Sequence, residues 1–117
     1  MKFLITESKL KQFIQKKFGV DLTNRIMMIE NYDSLPDSFK SLYSRGIFNF
    51  YLNKYGPMYL ISGNSENYLY QNQNYREFIV NSYDEVVSHS ELIEDLGIPY
   101  GMGLSVKDII DLYLEEN

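Results

Sequence analysis

The 117-residue sequence has no cysteine, no tryptophan and no alanine, and its only histidine is His89. The lack of cysteine excludes a disulfide scaffold, a thiolate metal site and a cysteine nucleophile. A single imidazole cannot build a multi-histidine metal cluster within one chain, and no metal or cofactor is expected. No apolar run approaches the roughly 20 residues of a membrane span. No Asn-x-Ser/Thr acceptor occurs. The opening Met1-Lys2-Phe3-Leu4-Ile5-Thr6 has three apolar residues in a row, too few for the apolar centre of a signal peptide. A soluble cytoplasmic protein without a membrane partner is therefore expected. Basic residues are scarce in the second half. Residues 1–57 carry nine Lys/Arg against five Asp/Glu, residues 58–117 carry two against eleven, and the net charge is −5. Such a chain is a poor binder of nucleic acid through phosphates, which requires basic groups to displace counterions. Its acidic half suits a protein target with a basic surface.

Hydrophobic residues make up 44% and charged residues 23%, a globular composition. The length suits a single domain over residues 1–117 with a real core. Eleven Tyr, seven Phe, eleven Ile, ten Asn and eight Lys all use AT-rich codons, as expected of an AT-rich host or viral genome.

Thr6 is placed to cap a helix over about 7–18, with Ile5 and Leu10 at hydrophobic-staple spacing. Leu10, Phe13, Ile14 and Phe18 form its apolar stripe, and Gly19 suits the left-handed position after it. Arg25–Asn31 reads as a strand buried on both faces. Ser34-Leu-Pro-Asp37 has capping-box spacing before Phe39, Leu42, Tyr43, Ile47, Phe50 and Tyr51. This stretch is either one helix bent at Gly46 or two short ones, and a strand over 47–52 is the alternative. Runs at 58–61, 68–71 and 77–80, separated by polar turns at 63–67 and 72–74, predict an antiparallel meander with a short return at 85–87. Two capping boxes, Ser88–Glu91 and Ser105–Asp108, open the last helices. The expected fold is α+β, a small antiparallel meander covered by about four short helices. Leu10, Phe13, Ile14, Phe39, Ile109 and Ile110 are expected in its core.

Few residues suggest chemistry. His89 could act as a base beside Asp84 or Glu85, but it reads first as an exposed residue of a helix's first turn. Gly101-x-Gly103 lacks the remainder of a phosphate-binding loop. Tyr59, Tyr68 and Tyr70 can be cross-strand neighbours, forming either a structural aromatic cluster or a protein-binding face. Glu91, Glu94, Asp95, Asp108 and Asp111 lie on two consecutive helices that could present one negative patch to a basic partner, or to Lys9, Lys11, Lys16 and Lys17 of the first helix.

The opening Met1-Lys-Phe-Leu-Ile-Thr-Glu-Ser8 and its basic helix resemble the start of small proteins of tailed phages. The stretch Tyr55-Gly-Pro-Met-Tyr-Leu-Ile61, with Tyr68-Leu-Tyr-Gln71, Glu77-Phe78, Asp84 and Glu91-Leu-Ile93, resembles a phage-type module. The Trp-Cys pair that often precedes that module is absent, so no activity tied to it is expected. The resemblance implies a viral origin. The expected function is that of a non-enzymatic phage-type accessory protein that binds and modulates a host protein, for example as an inhibitor of a defence system. The alternatives are a minor virion or assembly protein, which would self-associate, and a small-ligand or nucleotide binder.

Overall fold

The computed structural model describes residues 7–114. The elements run α1 (Glu7–Phe18), β1 (Ile26–Ile29), a 3-10 turn (Tyr32–Ser34), α2 (Asp37–Lys40), α3 (Arg45–Tyr55), β2 (Met58–Ser62), β3 (Asn67–Gln73), β4 (Arg76–Asn81), α4 (His89–Asp95), a second 3-10 turn (Tyr100–Met102) and α5 (Val106–Leu114). All neighbouring strands are antiparallel, in the order β1-β2-β3-β4. The fold is the expected small α+β arrangement. The cap at Thr6, the staple at Ile5 and the acidic pair Glu115-Glu116 lie outside the described residues.

Side chains of a strand alternate between the two faces of a sheet. On one face Ile61, Tyr68, Tyr70 and Ile79 pack with Ile14 of α1, Leu92 and Ile93 of α4, and Val106, Ile109 and Ile110 of α5. On the other, Met58, Leu60, Leu69 and Val80 pack with Phe39 of α2 and Phe48 of α3. The sheet is thus a central layer with helices on both sides, and Tyr68 to Gln71 of its inner strand β3 are all buried.

Local chemistry accounts for the boundaries. Ser44 Oγ accepts from the Ile47 N–H at 3.2 Å and opens α3, and Gly56 at φ +95° closes it. Ser105 and Asp108 form a reciprocal box, Asp108 N–H to Ser105 Oγ at 3.1 Å and Ser105 N–H to Asp108 Oδ2 at 3.0 Å. Gly19 adopts φ +69° after α1, as expected. Strand β3 runs two residues further than the sequence suggests, to Gln73, so the hairpin turns on Asn74 and Tyr75. Both have positive φ, 54° and 70°, which is the type I′ pattern matching strand twist.

Three expectations are corrected. Phe13 is 47% exposed, because the stripe of α1 that meets the core follows the i, i+4 line through Leu10, Ile14 and Phe18, of which Ile14 is buried and Leu10 and Phe18 are partly buried. Its ring meets Phe18 edge-on at the surface. β1 is an edge strand whose Ile26 and Ile29 are buried while Met27 and Met28 are 48% and 43% exposed. Ser34 caps nothing, since its N–H donates to Asn31 Oδ1 and Pro36 precedes α2 without a side-chain cap. The stretch after Ser34 forms two short helices, one of the two helical readings of its sequence, and they divide at 41–44, ahead of Gly46, because Ser44 starts a new helix there.

Candidate functional site

The three tyrosines, read either as a structural cluster or as a protein-binding face, are mostly inside. Tyr68 and Tyr70 are each 2% exposed, and Tyr59 is half-buried with its ring 6.2 Å from that of Tyr70. Strand β3 is covered on both faces, so a partner cannot reach Tyr68 or Tyr70 in this fold. Their hydroxyls are anchored to carboxylates, Tyr68 to Asp95 Oδ2 at 2.9 Å and Tyr70 to Glu77 Oε1 at 2.6 Å. Burial and these carboxylates push both hydroxyls well above the ordinary tyrosine range, so both remain protonated donors.

The five helix carboxylates separate by role. Asp95 turns inward, accepting from the Ser65 and Glu66 N–H groups and from Tyr68, and so ties the β2–β3 turn to α4. Burial alone would raise its pKa, but the bonds from Tyr68, Ser65 and Glu66 outweigh it and hold the carboxyl below its ordinary value. Gly63 faces this carboxylate, and a Cβ there would collide with Asp95 Oδ2 and approach the Glu66 carbonyl oxygen at 2.8 Å. Asp111 pairs with Lys107 at 2.8 Å, and Asp108 caps α5. Glu91 is exposed beside its cap Ser88, and Glu94 is exposed. The helices α4 and α5 do pack together. Of the five, Asp95 is excluded from an outward patch by its inward bonds.

His89 is not the free surface residue expected. Its Nε2 lies 3.0 Å from Glu77 Oε2, and its side chain is 32% exposed. Glu77 also holds Tyr70, so one carboxylate joins β3, β4 and α4. Ser105 shares a shallow pocket with His89, but its Oγ is engaged in capping α5. Among the described residues no group of three or more His, Asp or Glu is placed to hold a metal, and no helix is long and apolar enough to cross a membrane.

A further surface feature lies on the opposite face of the sheet, between α3 and β4. It is a cleft of about 240 Å³ with Met58, Leu69 and Val80 at its base and Tyr43, Tyr51, Gln71, Gln73, Phe78 and Asp84 around them. The Tyr43 and Tyr51 rings stand nearly perpendicular, 6.3 Å apart at 83°. Buried Gln71 is fully satisfied, its Nε2 donating to the Tyr51 and Gly56 carbonyls at 3.1 and 2.8 Å and its Oε1 accepting from Gln73 Nε2 at 2.9 Å. Neither tyrosine hydroxyl, nor the Asp84 carboxylate, has a hydrogen-bond or ion-pair partner among the described residues. Burial, with Asp84 and Tyr51 nearby, pushes the Tyr43 hydroxyl above its ordinary pKa.

Apolar surface extends beyond the cleft. Val86 bridges Val80 in antiparallel register, which places both side chains on the same face. Val80 is buried there, whereas Val86 is 72% exposed, Tyr83 73% and Phe78 36%. On α3, Ile47 and Phe50 are exposed as well, at 52% and 56%. The sequence reading missed this site. Its available signal was a Gln in a strand buried on both faces, which requires a local polar network, followed after β4 by Tyr83-Asp84 and the apolar pair Val86-Val87.

Comparison with known protein families, curated proteins and solved structures finds no match to this chain.

Proposed function

We propose that this protein is a non-enzymatic accessory protein that acts by binding another protein, through the aromatic cleft and the apolar shelf beside it. The observation that carries this reading is the set of large apolar side chains left in solvent, Phe78 in the cleft lining, Val86 opposite Val80 and Tyr83 next to Asp84 in the chain, with Ile47 and Phe50 on α3. Exposed apolar patches of this kind, rimmed by polar groups, characterise protein-binding surfaces. Tyrosine and phenylalanine supply contact area at low cost in side-chain entropy. The net charge of −5 favours a partner with a basic surface, and Glu91, Glu94 and Asp108 on α4 and α5 would steer its approach. The resemblance to small tailed-phage proteins supports a host protein of the cytoplasm as the target.

The test compares three immobilised proteins in a bacterial lysate: wild type, Tyr83→Ser/Val86→Asp, and Glu91→Lys/Glu94→Lys. Both variants change exposed side chains, and their folding is checked by circular dichroism. A protein retained by wild type should be lost with Tyr83→Ser/Val86→Asp. With Glu91→Lys/Glu94→Lys it should be retained, more slowly and with weaker salt dependence. Retention unaffected by Tyr83→Ser/Val86→Asp overturns the assignment of the surface.

A further inference from the structure

The cleft between α3 and β4 has an unusual balance of groups. Its aromatic lining is Tyr43, Tyr51 and Phe78, and its one charged lining residue is Asp84. That carboxylate and both tyrosine oxygens are without partners among the described residues, and Gln73 has given its N–H to Gln71. No Lys or Arg lines the cleft, and Arg76, further along the same strand, is not among its walls. Aromatic faces carry negative charge density and attract cations, most strongly where water is partly excluded. A carboxylate at the rim adds a direct charge and two acceptor oxygens. The complement to this lining is a flat cation that can stack on a ring and donate hydrogen bonds to a carboxylate at the same time.

We infer that the cleft receives an arginine side chain of the bound protein, in contact with the rings of Tyr43 and Tyr51 and paired with Asp84. This inference rests on the reading of the cleft as a protein-binding surface, and gives that partner a chemistry. The chain builds the same arrangement from its own residues elsewhere. The Arg45 guanidinium lies 4.7 Å from the centroid of the Tyr32 ring while its Nη2 donates to Asp33 at 2.9 Å. At Tyr43, Tyr51 and Asp84 the aromatic and acidic parts are present without the cation.

The experiment titrates the isotope-labelled protein with acetyl-Gly-Arg-Gly-amide, and separately with the same peptide carrying neutral citrulline in place of arginine. Amide shifts are followed by NMR. The arginine peptide should shift the amides of Tyr43, Tyr51, Phe78 and Asp84 with saturation, and the citrulline peptide should bind at least about tenfold more weakly. Asp84→Asn should reduce arginine affinity about tenfold and leave citrulline affinity unchanged. Asn adopts left-handed backbone as readily as Asp, so the φ of +63° at this position is retained. Tyr51→Leu, which removes a ring and keeps an apolar residue, should weaken the arginine peptide as well. Equal affinity for the two peptides, shifts centred elsewhere, or no saturation by either overturns the inference. If neither peptide binds while Tyr83→Ser/Val86→Asp still abolishes partner retention, the arginine assignment falls and the protein-binding reading stands. If the arginine peptide binds the cleft while retention is insensitive to Tyr83→Ser/Val86→Asp, the converse holds.

Discussion

Asp95 shows how one side chain can be assigned opposite roles by sequence and by fold. In the sequence it is half of an acidic pair on a short helix, Glu94-Asp95, and both members read as solvent-facing. In the structure Glu94 does face solvent, whereas Asp95 accepts from the Ser65 and Glu66 N–H groups and from the Tyr68 hydroxyl. Gly63 is needed because a side chain there would overlap the carboxylate. The held-down pKa has a definite sign for stability. A carboxyl whose folded pKa lies below its unfolded value stabilises fully above the unfolded value, near 4, and that contribution disappears as pH falls through the folded value. Asp95→Asn should therefore cost roughly 1–3 kcal/mol at pH 7. It should also flatten the loss of stability of the wild type below pH 4. Urea denaturation of both proteins at pH 7 and pH 3 checks this: an equal difference at the two pH values would contradict the assignment. By the same reasoning a Glu91/Glu94/Asp95 triple reversal is a poor probe of an acidic face, since the Asp95 change breaks the β2–β3 turn.

Elements were legible where local chemistry alone decides them. The helix over 7–18, the Ser88 and Ser105 caps and the three meander strands follow from capping residues, turn residues and alternation, and each is present in the structure. Those requiring knowledge of neighbours were not. Whether Met27 and Met28 are covered depends on what lies beyond β1, and nothing in Arg25–Asn31 encodes that it forms the sheet edge. Tyr68 and Tyr70 looked available because they are polar-tipped, but their strand is central, and Asp95 and Glu77 from distant segments satisfy their hydroxyls. The division into α2 and α3 was one of the readings of the sequence, and its position falls at Ser44, whose hydroxyl caps α3. One element carries a measurable strain. Tyr75 is 99% exposed at φ +70°, a position in the type I′ hairpin that favours Gly. Tyr75→Gly should raise stability by roughly 0.5–1 kcal/mol, since it removes left-handed strain and no buried contact. A decrease in melting temperature would show that the turn has another geometry or that the ring makes contacts in solution.

At the scale of the whole molecule, the two helical layers divide two properties between them. The layer of α1, α4 and α5 covers its face of the sheet and carries exposed Glu91, Glu94 and Asp108. The layer of α2 and α3 leaves the β4 side of the opposite face partly open, and there the aromatic cleft and the apolar shelf meet. Charge asymmetry was visible in the sequence as a count, but the placement of the acidic helices α4 and α5 on the layer opposite the cleft, together with the basic helix α1, was not. Long-range electrostatic steering does not require the acidic groups to sit at the interface, whereas apolar contact does. The decisive measurement is hydrogen–deuterium exchange of the protein alone and bound to the partner it retains from lysate. The account predicts slowed exchange over residues 43–51 and 78–86, with α4 and α5 unchanged. Protection confined to α4 and α5 would contradict it and assign binding to the acidic helices.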